Sequence, residues 1–87
     1  MKPRVTKAEM FRVIKWYSER LAQDFLYKPL TPLVQHHVKV RLLELQGIMQ
    51  ARESHQAWHI PLEVSFDYNT NSILLDVAAP DSIDIID

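Results

Sequence analysis

Leu62-Glu63-Val64-Ser65-Phe66-Asp67-Tyr68-Asn69-Thr70-Asn71-Ser72-Ile73-Leu74-Leu75-Asp76-Val77 is the stretch that decides the fold. Leu62, Val64, Phe66 and Tyr68 alternate with Glu63, Ser65 and Asp67, the period of a half-buried strand. Asn69-Thr70-Asn71-Ser72 supplies a turn, because asparagine tolerates the left-handed conformation. Ile73, Leu75 and Val77 then alternate with Leu74 and Asp76 on the way back, so a hairpin is expected over about 61–79. An isolated hairpin is marginal in water and needs something beneath it. Its free edges also invite extension by a second copy into a four-stranded sheet.

The support lies upstream. Thr6 with Glu9 three residues on reads as a capping box, opening a helix over about 6–26. At 100° per residue, Met10, Ile14, Tyr17, Leu21 and Phe25 form one apolar stripe, with Val13 and Phe11 on its shoulders. Trp16 projects from the opposite, polar face, with Arg12 one turn before it and Arg20 one turn after. Lys28-Pro29-Leu30-Thr31-Pro32 is a stiff connector, since proline disfavours the helical conformation at the residue before it. Thr31 as N-cap and Pro32 at the first helical position begin a second helix, expected over about 32–57.

That second helix carries two apolar stripes. Val34, Val38, Leu42, Leu45 and Met49 make one; Leu33, Val40, Leu43, Gly47 and Ala51 make the other. The first helix covers only one of them, so the second must meet the strands or another copy of the chain. Gly47 and Ala51, in line with Leu43, would let a neighbouring backbone approach closely, and this set is the expected dimer interface. A glycine inside a helix costs about 1 kcal/mol against alanine, which close packing offsets.

Eighty-seven residues, 47% hydrophobic and 24% charged, fit a small globular chain whose core is marginal alone, so self-association is expected from length as well. There is no cysteine, which removes disulfides, thiolate metal sites and thiol catalysis. The basic N-terminus lacks the apolar run of a signal peptide and no stretch is long enough to span a bilayer, so a cytoplasmic protein is expected. The net charge of −1 hides a gradient. Residues 1–28 hold seven bases and three acids, whereas 60–87 hold six acids and no base.

Candidate chemistry is sparse. His55 and His59 are spaced i, i+4 and would share a face on a continued helix, the geometry of a zinc pair, but Gln56-Ala57-Trp58 supplies no carboxylate between them. Pro61 also argues against such a helix, so no metal or other cofactor is expected. His36 and His37 diverge by about 100°. His37, Arg41 and Glu44 share a face but read more simply as a polar strip with intrahelical pairs. One glycine builds no phosphate loop, and no serine or threonine sits in a nucleophile elbow.

Arg12, Lys15, Trp16 and Arg20 are the distinctive set. A tryptophan between arginines suits a protein interface, where these two residue types dominate binding energy. Ile83, Ile85 and Ile86, mixed with aspartates in the tail 80–87, suggest a second contact made by strand addition. The sequence therefore predicts an α+β domain, two antiparallel helices followed by a C-terminal hairpin, completed by dimerisation. Its expected role is that of a non-enzymatic protein-binding inhibitor or adaptor on a larger protein, the kind of regulator that phages and mobile elements often encode. The alternative is a nucleic-acid regulator in which Lys7, Arg12, Lys15, Trp16 and Arg20 meet the phosphates; a small metal enzyme using His55 and His59 comes third.

Overall fold

Thr6 serves two elements at once. It ends the strand β1 (Arg4–Thr6), and its Oγ1 accepts from the Glu9 N–H at 3.0 Å as N-cap of α1 (Lys7–Asp24). The same hydroxyl donates to Glu9 Oε1 at 2.9 Å, so the box closes through the two side chains. The structure is a computed structural model that describes residues 2–87. Thr31 caps α2 (Pro32–Arg52) by accepting from the Val34 N–H at 3.3 Å.

α2 stops at Arg52, short of the expected end near 57. Glu53 and His55 are extended, and His55 Nδ1 accepts from the Ala57 N–H at 3.0 Å, starting a separate 3-10 turn at Gln56–His59. Histidine thus takes over the capping role usually filled by serine or aspartate. The consequence is a reversal that lays Ala57, Trp58 and Ile60 back against α1 and β1, with Ala57 and Ile60 fully buried.

β2 (Leu62–Asp67) and β3 (Ser72–Val77) pair antiparallel in the register Leu62 with Val77 through Asp67 with Ser72. Leu62, Val64, Phe66, Ile73 and Leu75 pack on the core and Val77 is buried in it. Asn71, at φ 53°, closes the turn in the left-handed region. Its side-chain oxygen accepts from the Leu30 N–H and its nitrogen donates to the Lys28 carbonyl, both at 3.1 Å. The hairpin tip is thereby laced to the connector between the helices.

The ends of the chain meet. After a short turn at Pro80–Ser82, β4 (Asp84–Ile86) pairs in parallel with β1, Val5 opposite Ile85. The sequence allows the tail a short strand, but its pairing with the N-terminus was not expected. Val5 is fully buried and Ile83 is 5% exposed, so the tail adds its strand to its own N-terminus. Lys7 Nζ meets Asp87 at 3.1 Å beyond the pairing. Among the described residues the result is an α+β fold with two helices, one antiparallel and one parallel strand pair, and a core drawn from both helices, β1, β2, β3 and the segments around Ala57, Ile60 and Ile83. Among the described residues no helix is long and apolar enough to cross a membrane.

Candidate functional site

The buried centre of α1 is Val13, Tyr17 and Leu21, rotated from the expected stripe. Met10, Ile14 and Phe25 become its half-buried flank and Phe11 turns to solvent. Trp16 lies on the other flank, half-buried, which corrects the expectation of a freely projecting ring. Its cover comes from the 3-10 turn: Trp58 meets it edge-on with ring centroids 5.7 Å apart, and Tyr17 does so at 5.2 Å. The sequence reading missed this because it continued α2 through Trp58 and so sent that ring elsewhere.

What remains of the Trp16 surface is framed by charge. The Arg20 guanidinium stands 5.6 Å from the ring centroid, a cation–π distance. Trp16, Glu19, Arg20 and Gln23 line a shallow depression of about 180 Å³. Lys15 is paired with Glu19 at 3.9 Å, but Arg12 and Arg20 meet no carboxylate within ion-pairing distance among the described residues. Of the six acids after residue 60, only Asp87 bridges a base among the described residues, and that base is Lys7. The charge gradient of the sequence survives folding as a basic helix face, not as a set of internal pairs.

Two residues extend this face that the sequence did not single out. Leu26 and Tyr27 follow the end of α1, both exposed, with Tyr27 94% accessible and at φ 62°. It is the third position of a turn that the Lys28 N–H closes onto the carbonyl of the C-cap Phe25 at 3.1 Å, where a positive φ makes glycine the low-cost choice. A tyrosine there accepts strain of about 1 kcal/mol and buries nothing in return. Leu26 and Tyr27 line a depression of about 390 Å³ that also includes Glu19, so it adjoins the Trp16 surface. The signal for Tyr27 is a backbone angle, which no periodicity reveals.

The other expected site residues fall as follows. Ile83 is withdrawn as a contact because it is buried in the core; Ile85 and Ile86 keep partial exposure on β4. Leu43 and Ala51 are exposed on α2, and a Cβ built on Gly47 would meet nothing within 4 Å, so nothing in the chain itself packs closely there. His55 and His59 do not share a helix. His55 Nε2 lies 2.5 Å from Glu9 Oε2, an ion-pairing contact, while its Nδ1 accepts the Ala57 N–H. His59 Nε2 contacts the Glu53 carbonyl at 2.8 Å. Among the described residues no group of three potential metal ligands gathers.

Arg41 is held by Asp24 at 3.0 Å and by Glu44 at 3.2 Å, which ties α2 to α1 and pushes its pKa still higher through those two hydrogen bonds. His36 and His37 stand beside it in an open groove and bond to neither carboxylate. Tyr17 is 1% exposed and its hydroxyl has no partner among the described residues; burial pushes its pKa up from the ordinary 10.0. No protein family, curated protein or solved structure matches the chain.

Proposed function

We propose that this chain is a non-enzymatic protein-binding regulator, an inhibitor or adaptor that occupies a surface of a larger protein through the outer face of α1. The observation that carries this reading is the pair Arg12 and Arg20, exposed and without carboxylate partners, on either side of a tryptophan already fixed against Trp58 and Tyr17. A ring held in place before contact loses little rotamer freedom on binding, and unpaired arginines offer planar donors to a partner's carboxylates. Tyr27 supports the same reading, since an exposed side chain kept in a strained conformation is a hallmark of a contact residue. The partner surface is thus acidic with an apolar recess, and the binding module is self-associated through a different surface.

The test is capture from the source cells on immobilised protein, comparing wild type, Arg12→Glu/Arg20→Glu and Tyr27→Gly, with and without nuclease. One protein retained at fixed stoichiometry after nuclease and lost from both variants is the expected result. Tyr27→Gly is the informative arm, because it relieves strain and leaves a protein at least as stable as wild type. Equal retention by all three removes the α1 face from the account. Recovery that disappears with nuclease transfers the same residues to nucleic-acid binding, whose affinity falls steeply with salt.

A further inference from the structure

The two edges of the hairpin differ. The Ala78 N–H donates to the Pro61 carbonyl at 2.9 Å, which makes 61 and 78 a hydrogen-bonded pair in the observed register. Hydrogen-bonded pairs alternate along an antiparallel ladder, so 63, 65 and 67 also turn their backbone groups to β3. Leu62, Val64 and Phe66 therefore point their N–H and C=O groups away from β3. Among the described residues no hydrogen bond reaches them. The far edge of β3 is blunted, since the Val77 N–H donates to Asp76 Oδ1 at 2.7 Å and α1 lies alongside. β2 has no proline, bulge or lysine of its own to protect it.

Beside this open edge runs the uncovered stripe of α2. A groove of about 260 Å³ is lined by Lys39, Leu42 and Leu43 from the helix and Leu62, Glu63 and Val64 from the strand, so the edge adjoins the stripe at Leu43. Leu43 is 69% exposed in it.

We infer that this surface binds a second copy of the chain, β2 pairing antiparallel with β2 about a two-fold axis at Val64, which also sets the Leu43–Gly47 stripes of the two α2 helices against each other. The inference rests on the self-association in the proposed function and not on its Trp16 contact. Three observations select a second copy over a foreign strand. Only two registers pair five residues of β2 with five of its copy through the outward groups of Leu62, Val64 and Phe66. One is centred on Val64 and sets Glu63 opposite Ser65 of the second copy, with Leu62 opposite Phe66; the other is centred on Ser65 and sets Glu63 against Asp67. Like charges directly opposite are unfavourable, so the strand is complementary to itself in the first register. A foreign strand would cover the edge and leave Leu43 in water, whereas the two-fold covers both. Finally, Gly47 has no neighbour within its own chain, and a close approach between crossing helices gives the residue a use.

The experiment uses the full chain, whose lack of native cysteine makes disulfide trapping clean. Glu63→Cys and Ser65→Cys are prepared separately, mixed and oxidised. Directly opposite residues stand about 4.5 Å apart at non-hydrogen-bonded positions, within reach of a disulfide. The mixture is expected to give a covalent dimer with one of each variant, and neither variant alone should do so. Ser65→Cys crosslinking with itself overturns the Val64 axis. In parallel, sedimentation equilibrium should show wild type as a dimer and Leu43→Glu with self-association weakened more than about tenfold, because the new charge would be buried unpaired. Circular dichroism checks that this variant is folded, and the crosslinking arm stands even if it is not. Wild type that stays monomeric to millimolar concentration, or a dimer indifferent to Leu43→Glu, overturns the inference and leaves the α1 reading intact.

Discussion

α1 and α2 are nearly equal in length, yet they leave different things uncovered. α1 gives its apolar side to the hairpin, α2, β1 and the 3-10 turn, and only Phe11 among its large apolar residues is exposed. What it presents outward is arginine around a half-buried tryptophan. α2 buries Val38, Leu42, Leu45 and Met49 and leaves Leu33, Val40, Leu43 and Ile48 exposed. A chain this small has material to cover one side of α2, not two. The difference is the basis of the two proposals made above: a charged aromatic face for a foreign protein, and a bare aliphatic stripe near an open strand edge for another copy.

The sharpest way to break this contrast is a pair of neighbours on α2. Leu42→Ala, in the buried stripe, should cost about 2–5 kcal/mol in denaturant unfolding. Leu43→Ala, one residue on, should cost less than about 0.5 kcal/mol at concentrations dilute enough for the monomer. Similar losses at both positions would mean that α2 has no bare side. On α1, Trp16→Ala should destabilise by about 1–3 kcal/mol, the range for losing part of a packed aromatic cluster. A loss under about 0.5 kcal/mol would return the ring to solvent.

Tyr17→Phe sharpens the comparison from within the core of α1. Removing a buried hydroxyl that has no partner should leave stability unchanged or raise it by about 1 kcal/mol. The titration has a definite sign. Because the folded protein holds the Tyr17 phenol protonated above its ordinary pKa of 10.0, its contribution is complete below pH 10 and declines as pH rises through the higher folded value. Alkaline melting curves should therefore fall less steeply for Tyr17→Phe than for wild type. The smallest effect is expected at Tyr27→Gly, a gain of about 0.5–1 kcal/mol from relieving the left-handed tyrosine. A loss there would mean that the ring packs on something after all.

Much of this architecture can be read from local pattern. The alternation from Leu62 to Val77, the caps at Thr6 and Thr31, and both stripes of α2 rest on period and capping chemistry within a few residues of one another. The features that cannot be read depend on distance. β1 and β4 are three residues each, and what makes them strands is a partner 80 positions away. The end of α2 was hidden because Ala57 and Trp58 continue a plausible helical pattern, while the stop comes from a histidine side chain acting as a cap. Trp16 was misplaced for the same reason, since its cover is Trp58. In the candidate site, Arg12, Lys15 and Arg20 were legible as a basic face; Tyr27 was not, because only its backbone angle distinguishes it.

The most direct test of the division between the two helices is sedimentation equilibrium on three proteins side by side: wild type, Arg12→Glu/Arg20→Glu and Leu43→Glu. Reversing both arginines is expected to leave the dimer intact, and the single change at Leu43 to yield the monomer. A dimer lost on reversing the arginines, with Leu43→Glu still dimeric, would contradict it and assign self-association to α1.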